Sequence, residues 1–206
     1  LNYHDIFTRN GMPGIKISMP MICGLDVAGE IAEIGANVSG WKIGERVLID
    51  PRNRVEGGLV GETIHGGLAE FCRVREHQLV RIPDGVSFDQ ASSLPVAYGT
   101  AHRMMMTIGQ VTSDDKILIL GASGGVGTGA LLLAKMAGAE VVVCASSDSK
   151  MEKLKSLGAD HAMTYMNKLL SASDSTKQRD FLKKALDELC KLKYVGPVTA
   201  TAILGP

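Results

Sequence analysis

Residues 116–127 read KILILGASGGVG, and this stretch decides the fold. Lys116 to Leu120 is an apolar run bounded by charged residues and glycine, the pattern of a strand buried in a parallel sheet. It runs straight into a loop of small residues, Ala122, Ser123, Gly124, Gly125, Val126 and Gly127, with a helix opening behind it. In that setting backbone N–H groups can approach a pyrophosphate while the positive end of the helix faces it. The stretch predicts dinucleotide binding. The competing reading is a generic α/β turn that merely needs glycine.

Working outward, Val126, Ala130, Leu133, Ala134 and Ala137 recur at helical spacing, and Gly138 stands where a helix would end. A second buried strand follows over Glu140 to Ala145. A Ser/Asp-rich turn then leads to a helix with Met151, Leu154 and Leu157 inward, ending at Gly158, and His161 to Tyr165 suits a third strand. This β-α-β-α-β order is half of a doubly wound nucleotide-binding domain.

The end of the second strand selects the cofactor. An NAD site places an acid there for the ribose 2′-hydroxyl. Here the chain reads Cys144-Ala145-Ser146-Ser147, and Asp148 stands too far along. Ser146, Ser147 and Lys150 suit a 2′-phosphate, so NADPH is preferred over NADH. An ordinary helix N-terminus with a solvated lysine is the alternative reading of the same residues.

Composition excludes several classes. The 206 residues are 45% hydrophobic, enough for a real core in one large or two small domains. Net charge is zero, which argues against nucleic acid and membrane surfaces as partners. The longest apolar region, around Leu131 to Val143, is interrupted by Lys135 and Glu140, so no membrane span is expected. Cys23, Cys72, Cys144 and Cys190 lie far apart with no histidine at ligand spacing, which predicts free thiols, a cytoplasmic location and no bound metal. The chain starts at Leu1 without a signal-peptide pattern, which reads as processing or as a fragment.

Residues 1–110 have a different texture. Short alternating segments at Asp26–Ile34, Glu45–Ile49 and Leu68–Val74, punctuated by glycine and proline, predict an antiparallel β domain. From Ser87 to Met106 the pattern turns helical, with Met104, Met105 and Met106 as core filler.

Taken in order, these motifs resemble the medium-chain dehydrogenase/reductase superfamily, in its zinc-independent, quinone-oxidoreductase-like branch. The resemblance spans residues 1–167. It rests on Leu1-Asn2-Tyr3-His4-Asp5, on Gly24-Leu25-Asp26-Val27-Ala28-Gly29-Glu30-Ile31, and on Trp41-Lys42-Ile43-Gly44-Glu45-Arg46-Val47. Gly66-Gly67-Leu68-Ala69-Glu70-Phe71, Ile82-Pro83-Asp84-Gly85-Val86-Ser87-Phe88 and the loop Gly121 to Gly127 complete it, together with Lys153 to Asp160 and the following Tyr165.

The resemblance implies an α/β architecture: a GroES-like β domain (1–110) followed by a truncated Rossmann parallel-sheet domain (111–167); the residues after it, unrelated to the family, read as a short helical tail (168–206). Cofactor would lie in the cleft between the first two. It also implies hydride transfer from NADPH to a small-molecule substrate, a quinone, enal or other carbonyl-conjugated compound. Asn2 and Asp5 would line the pocket, with Tyr98 and Thr100 beside the nicotinamide. Ala122 to Gly127 would hold the pyrophosphate, and Ser146, Lys150 and Tyr165 would frame the 2′-phosphate. Asn2 equally suits a turn cap, and Tyr98 a core aromatic.

Zinc-type members place a cysteine where Asn2 stands and a His-Glu pair where Leu25-Asp26 stands, and four close cysteines within roughly 51–67. None of these cysteines or the histidine is present, so no zinc is expected. Against the resemblance, half of the family's six-stranded sheet is expected here, and an exposed edge on it would invite pairing with a second copy. From Lys168 onward the segment carries seven Lys/Arg against four Asp/Glu, and Leu192 to Leu204 weakly resembles a helix-hairpin-helix, with Tyr194 where a glycine is needed. Packing of that tail on the broken sheet is the favoured reading, ahead of nucleic-acid binding. A non-catalytic nucleotide-binding or interaction protein is the alternative to an active reductase.

Overall fold

The structure, a computed structural model, describes residues 1–11, 14 and 17–164. The chain divides into two compact units, Leu1–Gly99 and Thr100 onward.

The first unit opens on helix α1 (Tyr3–Asn10). Asn2, with extended backbone, starts it and donates its backbone N–H to Asp5 Oδ2 at 2.7 Å; Gly11 stops it in the left-handed conformation, φ 71°. Three short antiparallel strands follow: β1 (Ala28–Glu30), β2 (Arg46–Ile49) and β3 (Leu79–Arg81), with β2 central. Leu48 stands opposite both Ala28 and Val80. Alternation along β2 buries Val47 and Ile49, each 5% exposed, and turns Arg46 and Leu48 to the other face. The Arg46 guanidinium lies 4.7 Å from the centre of the Phe88 ring, and Arg81 lies 4.1 Å from that of Trp41. These contacts cover the sheet margin with delocalised cations on aromatic faces.

Two expected strands are altered. Asp26–Ile34 contracts to β1, and Leu68–Val74 forms no regular strand. The reason lies just upstream of Leu68. Gly66, Gly67 and Leu68 donate successive N–H groups to the carbonyls of Ile22, Gly24 and Cys23. A strand alternates its donors between two sides, so three in a row aimed at one neighbour cannot be regular β-structure. Only glycine permits that approach: a Cβ on Gly66 would lie 2.3 Å from the Gly24 carbonyl oxygen.

The predicted helix over 87–106 is segmented. Ser87 caps helix α2 (Phe88–Ser92) through a reciprocal pair, Gln90 N–H to Ser87 Oγ at 3.1 Å and Ser87 N–H to Gln90 Oε1 at 2.9 Å. Pro95 then removes a backbone donor, and the chain continues as a wide π-type turn, Leu94–Tyr98. Helix α3 (Gly99–His102) and a second π-type turn, Arg103–Ile108, follow. Of the three methionines read as core filler, Met105 is buried and Met106 partly so, whereas Met104 is 53% exposed.

The second unit is a parallel sheet in the order β4 (Lys116–Ile119), β5 (Glu140–Ala145), β6 (His161–Thr164). Helix α4 (Gly125–Met136) links the first pair and α5 (Asp148–Ser156) the second. Val141 and Val143 have no exposure and pack with Ile119, Leu131, Ala134 and Leu154. Of the residues read as inward from the periodicity, Ala130, Ala134 and Leu154 are buried and Val126, Leu133, Ala137 and Met151 partly so, but Leu157 is 40% exposed. The fully buried Leu131 lies outside that reading. Charges close the sheet where the strands begin: Lys116 Nζ meets Glu140 Oε2 at 2.5 Å, and Glu140 Oε1 lies 3.2 Å from His161 Nε2. The expected strand over 161–165 is present through Thr164. Tyr165 and the tail 168–206 lie outside the described residues. Among the described residues, no helix is long and apolar enough to cross a membrane.

Candidate functional site

The glycine loop lies between β4 and α4, and its own backbone shapes it. The Ala122 N–H donates to the carbonyl of Cys144 at 3.1 Å, tying the loop to the end of β5. The Gly124 N–H returns to Gly121 O at 3.0 Å, and Thr128 Oγ donates to Ala122 O at 3.1 Å. Gly124 is the N-cap of α4, and no side chain caps the helix. The first turn therefore presents N–H groups of Gly125, Val126 and Gly127 that have no intrahelical acceptor. Ser123, Gly124 and Gly125 are exposed around them, whereas Ala122 is fully buried. Gly127 is required by packing: a Cβ there would lie 2.7 Å from both the Ala122 Cα and the Gly121 carbonyl oxygen. The result is an open, uncapped, positively polarised helix end behind a loop with little side-chain bulk.

Beside it, β5 ends at Ala145 and the chain turns through Ser146 and Ser147. Ser147 is the N-cap of α5, and its Oγ lies 3.3 Å from Ser149 Oγ. Lys150, in the first turn of α5, reaches back to Ser146 Oγ at 3.2 Å. An exposed ammonium and hydroxyls thus stand at the carboxyl end of the strand to which the loop is tied. Asp148 occupies the start of α5, where its charge suits the helix dipole. The neighbouring thiol is inert: burial pushes Cys144 up to about 11.

In the first unit, Asn2, Asp5 and Asp26 form one network. Asp5 is 3% exposed; its Oδ1 accepts from the N–H groups of Gly24 (3.2 Å) and Leu25 (3.1 Å), and its Oδ2 from Asn2. With three donors spent on it, this carboxylate fixes backbone. The side chain of Asn2 donates through Nδ2 to Asp26 Oδ2 at 2.8 Å. Asp26 Oδ1 in turn accepts the Val96 N–H at 3.0 Å, inside the turn that carries half-buried Tyr98. Thr100 is exposed in the second unit. The structure therefore brings Asn2 to the segment of Tyr98 through Asp26.

In the sequence Asp26 is one acid of a glycine-punctuated signature, at the position of the acid in the zinc-type His-Glu pair. Pro95 marks a break in the helical pattern, but no local signal names Asp26, 70 residues away, as the acceptor of the Val96 N–H. His4 and Glu62 form a second unforeseen pair, Nε2 to Oε2 at 2.6 Å across 58 residues, which no local spacing reveals. Among the described residues, no three His, Cys, Asp or Glu side chains gather as a metal site. At the positions that match a zinc centre, Leu25 offers no side-chain donor atom, and Asn2 donates its Nδ2 to Asp26.

Comparison with known proteins bears on the family and the fold. Residues 1–84 match the alcohol dehydrogenase GroES-like domain, and residues 125–195 match the zinc-binding dehydrogenase domain. The second match runs past residue 167, where the quoted motifs end. The chain is 40% identical to 2-methylene-furan-3-one reductase of Solanum lycopersicum over 148 residues, 71% of this chain and 37% of that one. It is 36% identical to the chloroplastic NADPH-dependent alkenal/one oxidoreductase of Arabidopsis thaliana, over 80% of this chain and 42% of that one. A crystal structure of an NAD-dependent alcohol dehydrogenase superposes with a TM-score of 0.75 at 31% identity, covering 80% of this chain and 52% of that chain. The chain spans about half the length, or less, of the curated relatives it matches.

Proposed function

The chain belongs to the medium-chain dehydrogenase/reductase superfamily, and on that footing we propose that it is an NADPH-dependent oxidoreductase acting on an enal, enone or quinone. The observation that carries this reading is the pairing of the uncapped α4 N-terminus with Lys150 and Ser146 at the end of β5. The loop residues Ala122 to Gly127 would hold the pyrophosphate through backbone N–H groups, and Ser146, Ser147 and Lys150 the 2′-phosphate. The bound nicotinamide supplies the hydride, and the protein supplies orientation and electrostatics.

Substrate contact falls to Asn2 and Tyr98, with Thr100 beside the cofactor. Asn2 commits one side-chain N–H to Asp26 and keeps a second donor for a carbonyl oxygen, the atom that gains negative charge as hydride adds to a conjugated system. Asp5 serves by holding segment 24–25 against α1. A zinc-free reaction fits these side chains, because Leu25 has no ligating atom where zinc-type members carry a histidine, and Asn2 has no thiol where they carry a cysteine.

Titrating the full chain with NADPH and following nicotinamide fluorescence tests the cofactor; saturation below millimolar concentration is expected, and its absence defeats the reading. NADPH oxidation with a panel of enals, enones and quinones tests the reaction.

A further inference from the structure

We infer that Asp26 is a positioning residue: it fixes the donor face of the Asn2 amide and, with its other oxygen, caps the π-type turn that carries Tyr98. The inference rests on the substrate roles proposed above for Asn2 and Tyr98.

The Leu94–Tyr98 turn starts badly by its own sequence. Pro95 has no N–H to offer, and the Val96 N–H at the next position has no acceptor within the turn. Ser93, the residue before it, makes no side-chain cap. The acceptor arrives from 70 residues away as Asp26 Oδ1, at 3.0 Å. Its second oxygen, at 2.8 Å from Asn2 Nδ2, faces the start of α1. One half-buried carboxylate thus serves two donors from two different elements. Asp26 is itself held, since the N–H groups of its neighbours Gly24 and Leu25 are pinned on Asp5. The chain α1–Asp5–segment 24–26–Asp26 is closed on itself, which keeps the two oxygens aimed.

The chemistry of the pair explains why an acid is needed. A carboxylate has two acceptor oxygens, so Asn2 must present Nδ2 to it, and the orientation of the amide follows. An amide at position 26 has one acceptor and one donor group. It satisfies either Val96 or Asn2, and it sets a donor against the other. Asp26→Asn therefore either uncaps the turn or forces Asn2 to rotate and present its oxygen.

The test uses the full chain as wild type, Asp26→Asn, Asp26→Ala and Asp26→Glu. Amide hydrogen exchange is read at Val96, with Ile82 and Val143 as controls, and the Asn2 side-chain NH2 is followed by NMR. For Asp26→Ala, Val96 exchange is expected to rise about tenfold or more with the controls unchanged, and the Asn2 side-chain resonance to move. With an enone substrate, kcat/KM for Asp26→Asn is expected to fall on the order of tenfold to a hundredfold, while KM for NADPH holds. Asp26→Glu, which retains both acceptors, is expected to recover part of both losses. Unchanged Val96 exchange and an unmoved Asn2 resonance in Asp26→Ala overturn the inference, as does kcat/KM for Asp26→Asn within about twofold of wild type. If the wild-type chain turns over no enone, the proposed function fails, and the exchange and NMR readings alone decide the positioning role.

Discussion

The carboxylate of Asp5 accepts the backbone N–H of Leu25 at 3.1 Å, across 20 residues, and holds the segment after Cys23 against the first turn of α1. The same carboxylate takes Gly24 and Asn2, so its loss strands several buried donors at once. Asp5→Ala is expected to lower unfolding free energy by about 3 kcal/mol or more, since each unpaired buried donor costs roughly 1–3 kcal/mol. Urea denaturation checks this, and a loss below about 1 kcal/mol would show that water replaces the carboxylate.

Two loop glycines are expected to part company. At Gly127 a Cβ meets backbone at 2.7 Å, whereas at Gly124 the nearest atom is 3.5 Å away. Gly127→Ala therefore costs stability, about 2 kcal/mol as for other overpacked sites. Gly124→Ala leaves thermal stability near wild type yet weakens NADPH binding, because its methyl stands where the backbone must approach a phosphate. Thermal melting and an NADPH titration of both variants separate the effects. Equal binding by Gly124→Ala and wild type would remove the loop from the cofactor.

Lys150, resting on Ser146 Oγ, is expected to discriminate between the two nicotinamide cofactors. Lys150→Ala should weaken NADPH by about tenfold with little change for NADH, the scale of one lost charge-assisted contact. Competition binding of the two cofactors reads it out; a parallel loss for both would assign Lys150 to folding.

Asp160 gives the second unit an acid limit. Lys135 Nζ donates to its Oδ2 at 2.8 Å and the Val141 N–H at 2.7 Å, and the Lys135 contact chiefly holds this carboxyl below its ordinary value of 3.8. A depressed folded pKa contributes stability that is complete above 3.8 and is lost as pH falls through the folded value. Wild type should therefore exceed Asp160→Asn in stability at neutral pH, with the gap closing below 3.8. Guanidinium melts at several pH values follow the difference; a gap that widens on acidification would contradict the linkage.

Much of the second unit was legible because its signals are local. A strand buried on both faces must be apolar throughout, and a helix packed on it must repeat its apolar residues at helical spacing. Glu140–Ala145 and the helix Gly125–Met136 meet these conditions within their own residues; Lys116–Ile119 carries the apolar run, although only Ile119 is buried there. In the first unit β2 was legible from the alternation of Glu45–Ile49, whereas β1 and β3 are only three residues long, too short for a pattern of their own, and β3 follows a turn that reads as loop. The helix over 87–106 misled for a different reason: its apolar periodicity survives, but Pro95 removes the hydrogen bond that would keep it α-helical.

The glycine loop and the hydroxyl–lysine pair at Ser146 and Lys150 were set by the sequence alone, since backbone freedom and charge at a strand end depend on neighbours in the chain. Tertiary structure decided what Asn2, Asp5 and Asp26 do. Each is a short polar residue whose role depends on which donors stand within about 3 Å, and those donors come from Gly24, Leu25 and Val96, far along the chain. A carboxylate in a sequence is only a charge. Folding decides whether it meets solvent, substrate or, as with Asp5, three backbone N–H groups that leave it no other partner.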